Sequence, residues 1–489
     1  MRRVLVAGRG ILAVRVAQAC ADAGLESVAV HAPDDADALH VHAADSAWSL
    51  PATDAVLDRD PYLDLDALLD VAARCGADAL HPGQGVLAES AEAARRVREA
   101  GLTWIGPDPE TLDLLGDEVA ARALAEGVGA TLVVGSTEAV ASATQVVAFA
   151  RRHGLPVALK AAAGAGTRGF RVVRRLDEVP DLLEAVVHEA VLVTGRGDCL
   201  VEQYLDRPRH VEVQVVGDAE GEVVVLGTRE ASVQRRHRPL VAEAPAPFLD
   251  AEQRRTVTTV ARDLAVAAGL RGVATVEFLV AQGGAVSFLE ATPSLTDLSA
   301  VTEESTGVDL VRQQLLVAQG LPLDVDATPS GPRHAVGWLL VAEDPGRGFV
   351  PAPARVERLD LPGGRGVRVD PGVVLGDLLP RGRDGELARL VVAATDRAGA
   401  LRRSRRALAE TAVEGPTTVL PFHRLLVDDP AFTGEDGDGH RLHTRWVEWE
   451  CAGLDDLARP TPWPGWTPGL PVGPTGATGA TDGDAPPAS

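Results

Sequence analysis

One lysine stands out in this chain, because every other basic residue among its 47 lysines and arginines is an arginine. Lys160 ends the apolar run 155–159, which predicts a short buried strand, and Phe170–Val173 predicts a returning strand. The loop between them contains Gly164 and Gly166, whose backbone N–H groups could surround a phosphate. A lysine is a compact, rotatable charge that the arginine fork does not replace in a tight site. The pattern favours a lid over nucleotide phosphates, and a surface lysine retained by chance is the alternative.

Two glutamates on neighbouring predicted strands could hold a metal ion. Glu277 lies in the predicted strand 274–280 and Glu290 in the strand 285–290, with Gly283-Gly284 between them. A two-residue turn at these glycines sets Glu277 opposite Glu290 on one face of the hairpin, roughly 5 Å away. Facing carboxylates repel each other unless a cation lies between them, and Mg²⁺ prefers such hard oxygen ligands. A slipped register, with one glutamate in solvent, is the alternative.

Two further motifs permit more than one interpretation. Residues 234–238 form the densest positive cluster near the middle of the chain, although such a run also occurs on solvated faces. Gly8-x-Gly10-x-x-Ala13, with an acidic residue about 20 positions later, matches a dinucleotide-binding fingerprint. Any doubly wound sheet needs a tight strand-to-helix turn at this point, so the fingerprint alone does not establish a dinucleotide site.

The elements around these motifs predict α/β and α+β domains. Residues 1–113 alternate short apolar strands with helices, as a doubly wound α/β domain does. Residues 114–330 form the next predicted domain, with a mobile lid over about 131–203; one helix is predicted from Asp108 to Ala125 across the boundary. Residues 331–450 predict a mixed β/α domain, and the Pro-, Gly- and Thr-rich residues 451–489 predict a disordered tail.

Composition limits the classes of function. The net charge of −23 argues against a general nucleic-acid binder, so an anionic ligand has to meet a local positive cluster. The four cysteines are widely separated and predict reduced thiols rather than a zinc site or disulfides. The first residues run directly into a strand pattern, and no apolar run approaches the length of a membrane span. We therefore expect a cytoplasmic protein that binds neither nucleic acid nor membranes.

The chain resembles, from residue 1 to about 445, the biotin carboxylase subunit of acetyl- and propionyl-CoA carboxylases, which is an ATP-grasp protein. The resemblance implies an N-terminal α/β domain, an ATP-grasp domain with a mobile lid and a C-terminal β/α domain. The residues that carry it are, in chain order, Gly8-Arg9-Gly10, His81-Pro82-Gly83, Leu115-Gly116-Asp117, Lys160, Arg209-His210-Val211-Glu212, Gln234-Arg235-Arg236-His237, Glu243-Ala244-Pro245, Glu277, Glu290 and Ala342-Glu343-Asp344-Pro345.

The resemblance also implies which residues bind ATP and Mg²⁺. Glu277 and Glu290 would hold Mg²⁺. The loop is poorer in glycine than the family pattern, so phosphate contact there is expected to be looser. The residues implied to bind ATP are Lys160, Gly164, Gly166, Glu202, Gln203, Tyr204, Leu205, His210, Gln234 and His237.

The positions that serve carboxylation in the family do not match. A lysine, an arginine, a glutamate base and a second arginine are replaced here by Pro239, Ser294, Leu298 and Leu339, so no catalytic residue is assigned. Loss of a general base costs about 10²–10⁴-fold in rate, and loss of one preorganised donor about 10²–10³-fold. Other family residues are also exchanged: Thr292 replaces a metal-binding asparagine, Glu118 an ATP-contacting lysine and Gln84 a tyrosine. Arg238 and Asp297 lie next to two of the lost groups and could replace them only by pointing into the vacated places.

Three functions remain open from the sequence. The favoured one is a MgATP-binding protein whose carboxylation of biotin is weak or lost, acting as a pseudoenzyme or regulatory subunit. The others are an active biotin carboxylase with a rearranged site, which is an ATP-dependent ligase, and an ATP-grasp ligase with another carboxylate substrate. Because the chain lacks a Met-Lys-Met acceptor, biotin would arrive on a separate biotin carrier protein. The implied partners are that carrier, a carboxyltransferase subunit and a second copy of the chain.

Overall fold

The structure is a computed structural model of the 489-residue chain. It describes residues 1–52, 60–136, 138–162, 169–325, 333–379, 385–434, 441–451, 453–454 and 457. The predicted loop glycines Gly164 and Gly166 lie outside the described residues, and so does the predicted tail 451–489 except for residues 451, 453–454 and 457. Of these, Cys451, Leu454 and Leu457 pack against the apolar core.

The N-terminal sheet is parallel and packed with helices, as predicted. Its strands are β1 (Arg3–Val6), β2 (Glu26–His31), β3 (Ser46–Ser49), β4 (Ala79–His81) and β5 (Thr103–Trp104). Their order among the described residues is β3-β2-β1-β4-β5. Strand β1 is buried at Val4, Leu5 and Val6, because a parallel strand covered on both faces needs a continuous apolar run. The helices are α1 (Gly10–Asp22), α2 (Leu39–Ala43), α3 (Leu65–Cys75), α4 (Ala91–Glu99) and α5 (Pro109–Gly116), with 3₁₀ turns at Pro33–Asp35 and Pro61–Leu63.

The single helix predicted from Asp108 to Ala125 is wrong, because the structure interrupts it at Asp117. The chain forms α5 and then a separate helix, α6 (Glu118–Gly127). Asp117 between them is extended, and its carboxylate accepts hydrogen bonds from the N–H groups of Val119 and Ala120. Aspartate is a favoured N-cap, so Asp117 starts a new helix instead of continuing the old one.

A small antiparallel sheet follows α6. Its strands are β6 (Val157–Ala161), β7 (Phe170–Val173) and β8 (Cys199–Gln203), with β6 in the centre. The helices α7 (Ala143–His153) and α8 (Val179–Thr194) cover one face, next to a 3₁₀ turn at Leu176–Glu178. Lys160 lies near the end of the central strand, where it pairs with Phe170 on one side and Leu200 on the other. The predicted strand–loop–strand unit is therefore confirmed for its described residues.

Most of the remaining strands form one large sheet. Its order among the described residues is β13-β12-β9-β10-β11-β14-β19-β18, with all its pairs antiparallel. The strands are β9 (Arg209–Gly217), β10 (Val223–Arg235), β11 (Arg238–Ala244), β12 (Gly272–Val280), β13 (Val286–Thr292), β14 (His334–Val341), β15 (Glu343–Asp344), β16 (Val350–Pro351), β17 (Arg358–Asp360), β18 (Val367–Pro371), β19 (Glu386–Ala394) and β20 (Ala412–Glu414), of which β15–β16 and β17–β20 form two small pairs. The helices are α9 (Ala251–Ala267), α10 (Ser299–Thr306), α11 (Leu310–Ala318), α12 (Arg397–Glu410), α13 (Leu420–Leu426), α14 (Pro430–Thr433) and α15 (Trp446–Trp449), with a 3₁₀ turn at Pro345–Arg347.

The hairpin of β12 and β13 has the predicted pairing of glutamates but a different turn. Glu277 does pair with Glu290, but the predicted two-residue turn is wrong. Ala281 and Ala285 are hydrogen-bonded across a three-residue turn, so the strands start one residue out of the predicted register. A bulge at Leu289 adds one residue to β13 and restores the pairing of the two glutamates.

The cores lie on both sides of the large sheet and around the N-terminal sheet. The chain therefore has the α/β and α+β architecture that was expected. None of the described helices combines the length and the apolar character needed to cross a bilayer.

Candidate functional site

A cavity of about 460 Å³ lies between the small sheet and the large sheet. Of the twelve residues that the sequence assigned to ATP or Mg²⁺, ten line this cavity, and Gly164 and Gly166 lie outside the described residues. The ten lining residues are Lys160, Glu202, Gln203, Tyr204, Leu205, His210, Gln234, His237, Glu277 and Glu290.

Lys160 is held between two carboxylates. Its Nζ lies 2.6 Å from Glu118 Oε1 and 3.5 Å from Glu202 Oε1. Burial disfavours the ammonium group, but the charges of Glu202 and Glu118 outweigh it and raise the pKa of Lys160. The lysine is therefore a permanent cation in the cavity wall.

Glu277 is tightly held on the opposite wall. His210 Nε2 lies 2.8 Å from its Oε2, and the Thr292 hydroxyl donates to its Oε1 over 3.0 Å. Burial disfavours the Glu277 carboxylate, but the hydrogen bond from His210 outweighs it and lowers the pKa of Glu277. Burial would also lower the pKa of His210, yet the hydrogen bond with Glu277 raises it to about 9. At neutral pH the two groups form a histidinium–carboxylate pair.

Glu290 is the unsatisfied member of the glutamate pair. Its side chain is open to the cavity although protein surrounds it, and no described side chain bonds its carboxylate. Burial, followed by the negative charge of Glu277, raises the pKa of Glu290. A divalent cation between the two carboxylates would remove that repulsion, so the residues present fit Mg²⁺.

Glu212 adds a further oxygen to this wall. His210 and Glu212 alternate along β9 and point to the same side, and their ligand atoms lie with those of Glu277 within 4.8 Å of one another. Arg229 is fully buried beside them, and its guanidinium binds Glu212 Oε2 with a closest N–O distance of 2.6 Å. The structure therefore places His210 next to Glu277, while its contact with ATP stays a prediction.

Five further residues that were predicted to bind ATP also line the cavity, and they lie at the ends of strands. Gln203 is the last residue of β8, Tyr204 and Leu205 follow it, and Gln234 lies near the end of β10. The positive cluster 234–238 lies mostly on strands: Gln234 and Arg235 end β10, Arg238 begins β11, and Arg236 and His237 form the turn between them. The His237 ring meets Phe170 edge to face at 5.0 Å between centroids, which gives a planar group an aromatic border.

The four positions that lack the family's carboxylation residues are neutral. Pro239 and Leu298 line the cavity, and Ser294 Oγ lies 3.3 Å from Glu89 Oε1. Leu298 and Leu339 belong to the main apolar core, where they are 2% and 0% exposed. Neither leucine position has room for a solvated charge.

Arg238 and Asp297 bind each other beside these positions. Arg238 Nε lies 3.4 Å from Asp297 Oδ2, and Gln84 Nε2 donates to Asp297 Oδ1 over 2.6 Å. Arg238 also contacts Glu386, and it does not line the cavity, whereas Asp297 does. Asp297 thus reaches the cavity with both carboxylate oxygens engaged.

Sequence reasoning missed two charged neighbours of the site. Arg122 donates to Glu202 Oε2 over 3.0 Å, and Glu89 lines the cavity beside Ser294. The four-residue spacing from Glu118 to Arg122 is a signal that could have identified Arg122 as a partner. Nothing in the local sequence of Glu89 indicates its position.

A small sheet over a larger antiparallel sheet, with a lysine facing paired glutamates between them, defines an ATP-grasp protein. Three family models match consecutive parts of the chain. They are "Biotin carboxylase, N-terminal domain" over residues 1–112, "Carbamoyl-phosphate synthase L chain, ATP binding domain" over 117–326 and "Biotin carboxylase C-terminal domain" over 339–448. The chain belongs to the biotin carboxylase family.

Relatives and solved structures agree with this assignment. The chain is 48% identical over 448 residues to the biotin-dependent acyl-coenzyme A carboxylase alpha3 subunit of Mycobacterium leprae, covering 92% of this chain and 74% of that protein. It is 38% identical to the biotin carboxylase of Haemophilus influenzae, covering 91% and 99%. The biotin carboxylase domain of Hydrogenobacter thermophilus 2-oxoglutarate carboxylase, a dimer with MgADP, ADP and bicarbonate, superposes with a TM-score of 0.87 at 34% identity, covering 93% and 98%.

Proposed function

We propose that this protein binds MgATP as a biotin-carboxylase-type subunit in which carboxylation of biotin is weak or lost. One observation carries the proposal: Lys160 and the two facing glutamates line the same cavity, whereas Pro239 and Leu298 present no charge to it. The part of the site proposed to bind the nucleotide therefore retains its charged groups, whereas the part that would carry out carboxylation lacks them.

The nucleotide part is supported by the groups in the cavity wall. Lys160 offers a cation to phosphate oxygens, and Glu277 with Glu290 offers oxygen ligands to Mg²⁺, which neutralises phosphate charge when bound. The aromatic border at His237 and the chain at 203–205 fit a planar base. The bound MgADP named for the Hydrogenobacter thermophilus domain supports the same assignment.

The loss of carboxylation is supported by the uncharged residues that stand at the family's carboxylation positions. Carboxylation develops negative charge on the bicarbonate and biotin side, and preorganised cations and a base are what lower such a barrier. Leu298 cannot take a proton, and Leu339 is fully buried in the core. With these groups absent together, ordinary turnover is not expected.

An active carboxylase with a rearranged site is the second candidate. The observation that favours it is the position of Asp297, which reaches the cavity one residue from Leu298, with Arg238 bound to it. Release of Asp297 from Gln84 and Arg238 would free a carboxylate to act as the base. A ligase that uses another carboxylate substrate has no comparable support.

The partners follow from the same proposal. The Mycobacterium leprae relative is an alpha subunit of a biotin-dependent acyl-coenzyme A carboxylase, and the Hydrogenobacter thermophilus domain is a dimer. We extend these assignments to a separate biotin carrier protein, a carboxyltransferase subunit and a second copy of this chain, in the cytoplasm.

Calorimetric titration with MgATP and measurement of ADP release with bicarbonate, with and without free biotin, test the proposal. We expect saturable binding and no biotin-stimulated ADP release. Biotin-stimulated release would favour the rearranged carboxylase. No binding of MgATP to the folded protein would overturn the nucleotide assignment.

A further inference from the structure

Four charged side chains form a closed cluster, called here the charge quartet: Lys160, Glu118 and Glu202, which line the cavity, and Arg122, which is bound to Glu202. Lys160 Nζ lies 2.6 Å from Glu118 Oε1 and 3.5 Å from Glu202 Oε1. Arg122 Nη1 lies 3.0 Å from Glu202 Oε2 and 3.8 Å from Glu118 Oε1. Each cation therefore lies beside both carboxylates.

The quartet is neutral and shielded from solvent. Two cations balance two carboxylates, and the four side chains are only 11–15% exposed. Screening by water and salt is weak at such burial. The positive charge that Lys160 would offer to a phosphate is therefore already compensated inside the protein.

The position of Glu118 in the quartet is fixed by the backbone. It is the first residue of α6, whose N-cap is Asp117, and its N–H donates to the carbonyl oxygen of Ala162 over 3.3 Å. Ala162 follows directly on the last residue of β6, Ala161. Glu118 is thus attached through its backbone to the end of the strand that carries Lys160.

We propose that Glu118 is an internal counter-ion of Lys160, which nucleotide phosphates have to displace, so that Glu118 sets the affinity of the site for phosphate groups. The proposal rests on the nucleotide binding proposed above. A lysine at this position, as in the family pattern, gives the quartet a net charge of +2, whereas glutamate gives zero. Glu118 is a residue that controls affinity rather than a catalytic one.

Displacement of a fluorescent ADP analogue tests this role. The proteins are the wild type, E118Q, E118K and the control E126Q, which makes the same charge change at an exposed site on the same helix. The competitors are MgADP and adenosine, which lacks phosphates. Thermal melting of each variant verifies that it is folded.

The affinity for MgADP should rise about tenfold or more in E118Q and further in E118K, because each step adds positive charge near the phosphates. Adenosine affinity should be equal in wild type and E118Q, and E126Q should match the wild type for both competitors. A merely structural role of Glu118 would change the adenosine and MgADP affinities together.

Three results would overturn the proposal. Equal MgADP affinity in wild type and E118Q would show that the ion pair does not oppose phosphate binding, while the proposed nucleotide binding would stand. Weaker MgADP binding in E118Q would mean that Glu118 itself supports the phosphates, for instance as a metal ligand. Failure of the folded wild type and both Glu118 variants to bind nucleotide would remove the proposed function and this inference with it.

Discussion

Replacing Lys160 by methionine, alone and together with Glu118→Gln, measures the buried ion pair without any ligand. Among the described side chains, K160M leaves Glu118 with Arg122 as its one ion-pair partner, at 3.8 Å, and the Glu118 side chain is only 15% exposed. Breaking a buried pair by removing one partner costs about 3–5 kcal/mol, because the remaining charge stays buried. E118Q is milder, since Lys160 keeps Glu202 at 3.5 Å and the amide can still accept a hydrogen bond.

The double variant should be more stable than the sum of the single effects predicts. With both members removed, no charge is left unpaired in that place, and we expect a coupling of about 2–3 kcal/mol. Unfolding entropy of about 2.1 cal/mol/K per residue gives about 1 kcal/mol/K for 489 residues. K160M should therefore lower Tm by about 3–5 °C, and adding E118Q should recover part of that loss.

Calorimetric melting at low and high salt is the assay. The exposed pair Arg74–Asp70, with side chains 57% and 63% exposed, is the matched control. R74M and D70N should show a coupling below about 0.5 kcal/mol. Additivity of K160M and E118Q within about 0.5 kcal/mol would refute the reasoning, because residues in one ion-pair network must couple.

Two further predictions concern the metal side of the cavity. His210→Asn should destabilise the protein by on the order of 3 kcal/mol at pH 6, because the pKa of His210 is raised to about 9. The stabilisation by protonated His210 is complete below the unfolded pKa of about 6.5 and is lost as pH rises through about 9. The melting temperatures of the wild type and His210→Asn should therefore converge between pH 6 and pH 10. A difference that stays constant over this range would contradict the pairing of His210 with Glu277. Because the pKa of Glu290 is raised, Mg²⁺-dependent nucleotide binding should strengthen with rising pH as Glu290 loses its proton. Glu290→Gln should weaken Mg²⁺ binding and flatten that pH dependence in calorimetric titrations, and an unchanged Mg²⁺ requirement would remove Glu290 from the site.

The sequence was most informative where residue type limits chemistry. Lys160 and the facing glutamates were predicted from their types and spacing, and the structure brings them to one cavity. The pairing of Glu277 with Glu290 was correct although the turn was wrong, because the longer turn and the bulge at Leu289 cancel. Turn length and bulges shift the register by one residue each, and the Gly-Gly pair alone does not distinguish the possibilities.

The partners of these residues could not be predicted from sequence. Arg122 meets Glu202 across 80 positions, and Asp297 meets Gln84 across 213. Local patterns report which face of an element is buried, but not which distant side chain it meets. The replacements at Leu298 and Leu339 were visible in the sequence, whereas the engagement of Asp297 required the structure.

Fixation of ¹⁴C-bicarbonate on biotin tests the central claim most directly. The protein would be incubated with ATP, Mg²⁺, labelled bicarbonate and either free biotin or a biotinylated carrier protein, beside the Haemophilus influenzae biotin carboxylase as the active control. Acid-labile label on biotin should stay at the protein-free background, while the same preparation binds MgATP in a parallel titration. Biotin-dependent label at a rate comparable to the control enzyme would contradict the account and show that Asp297 and Arg238, or other groups of the protein, complete the carboxylation site.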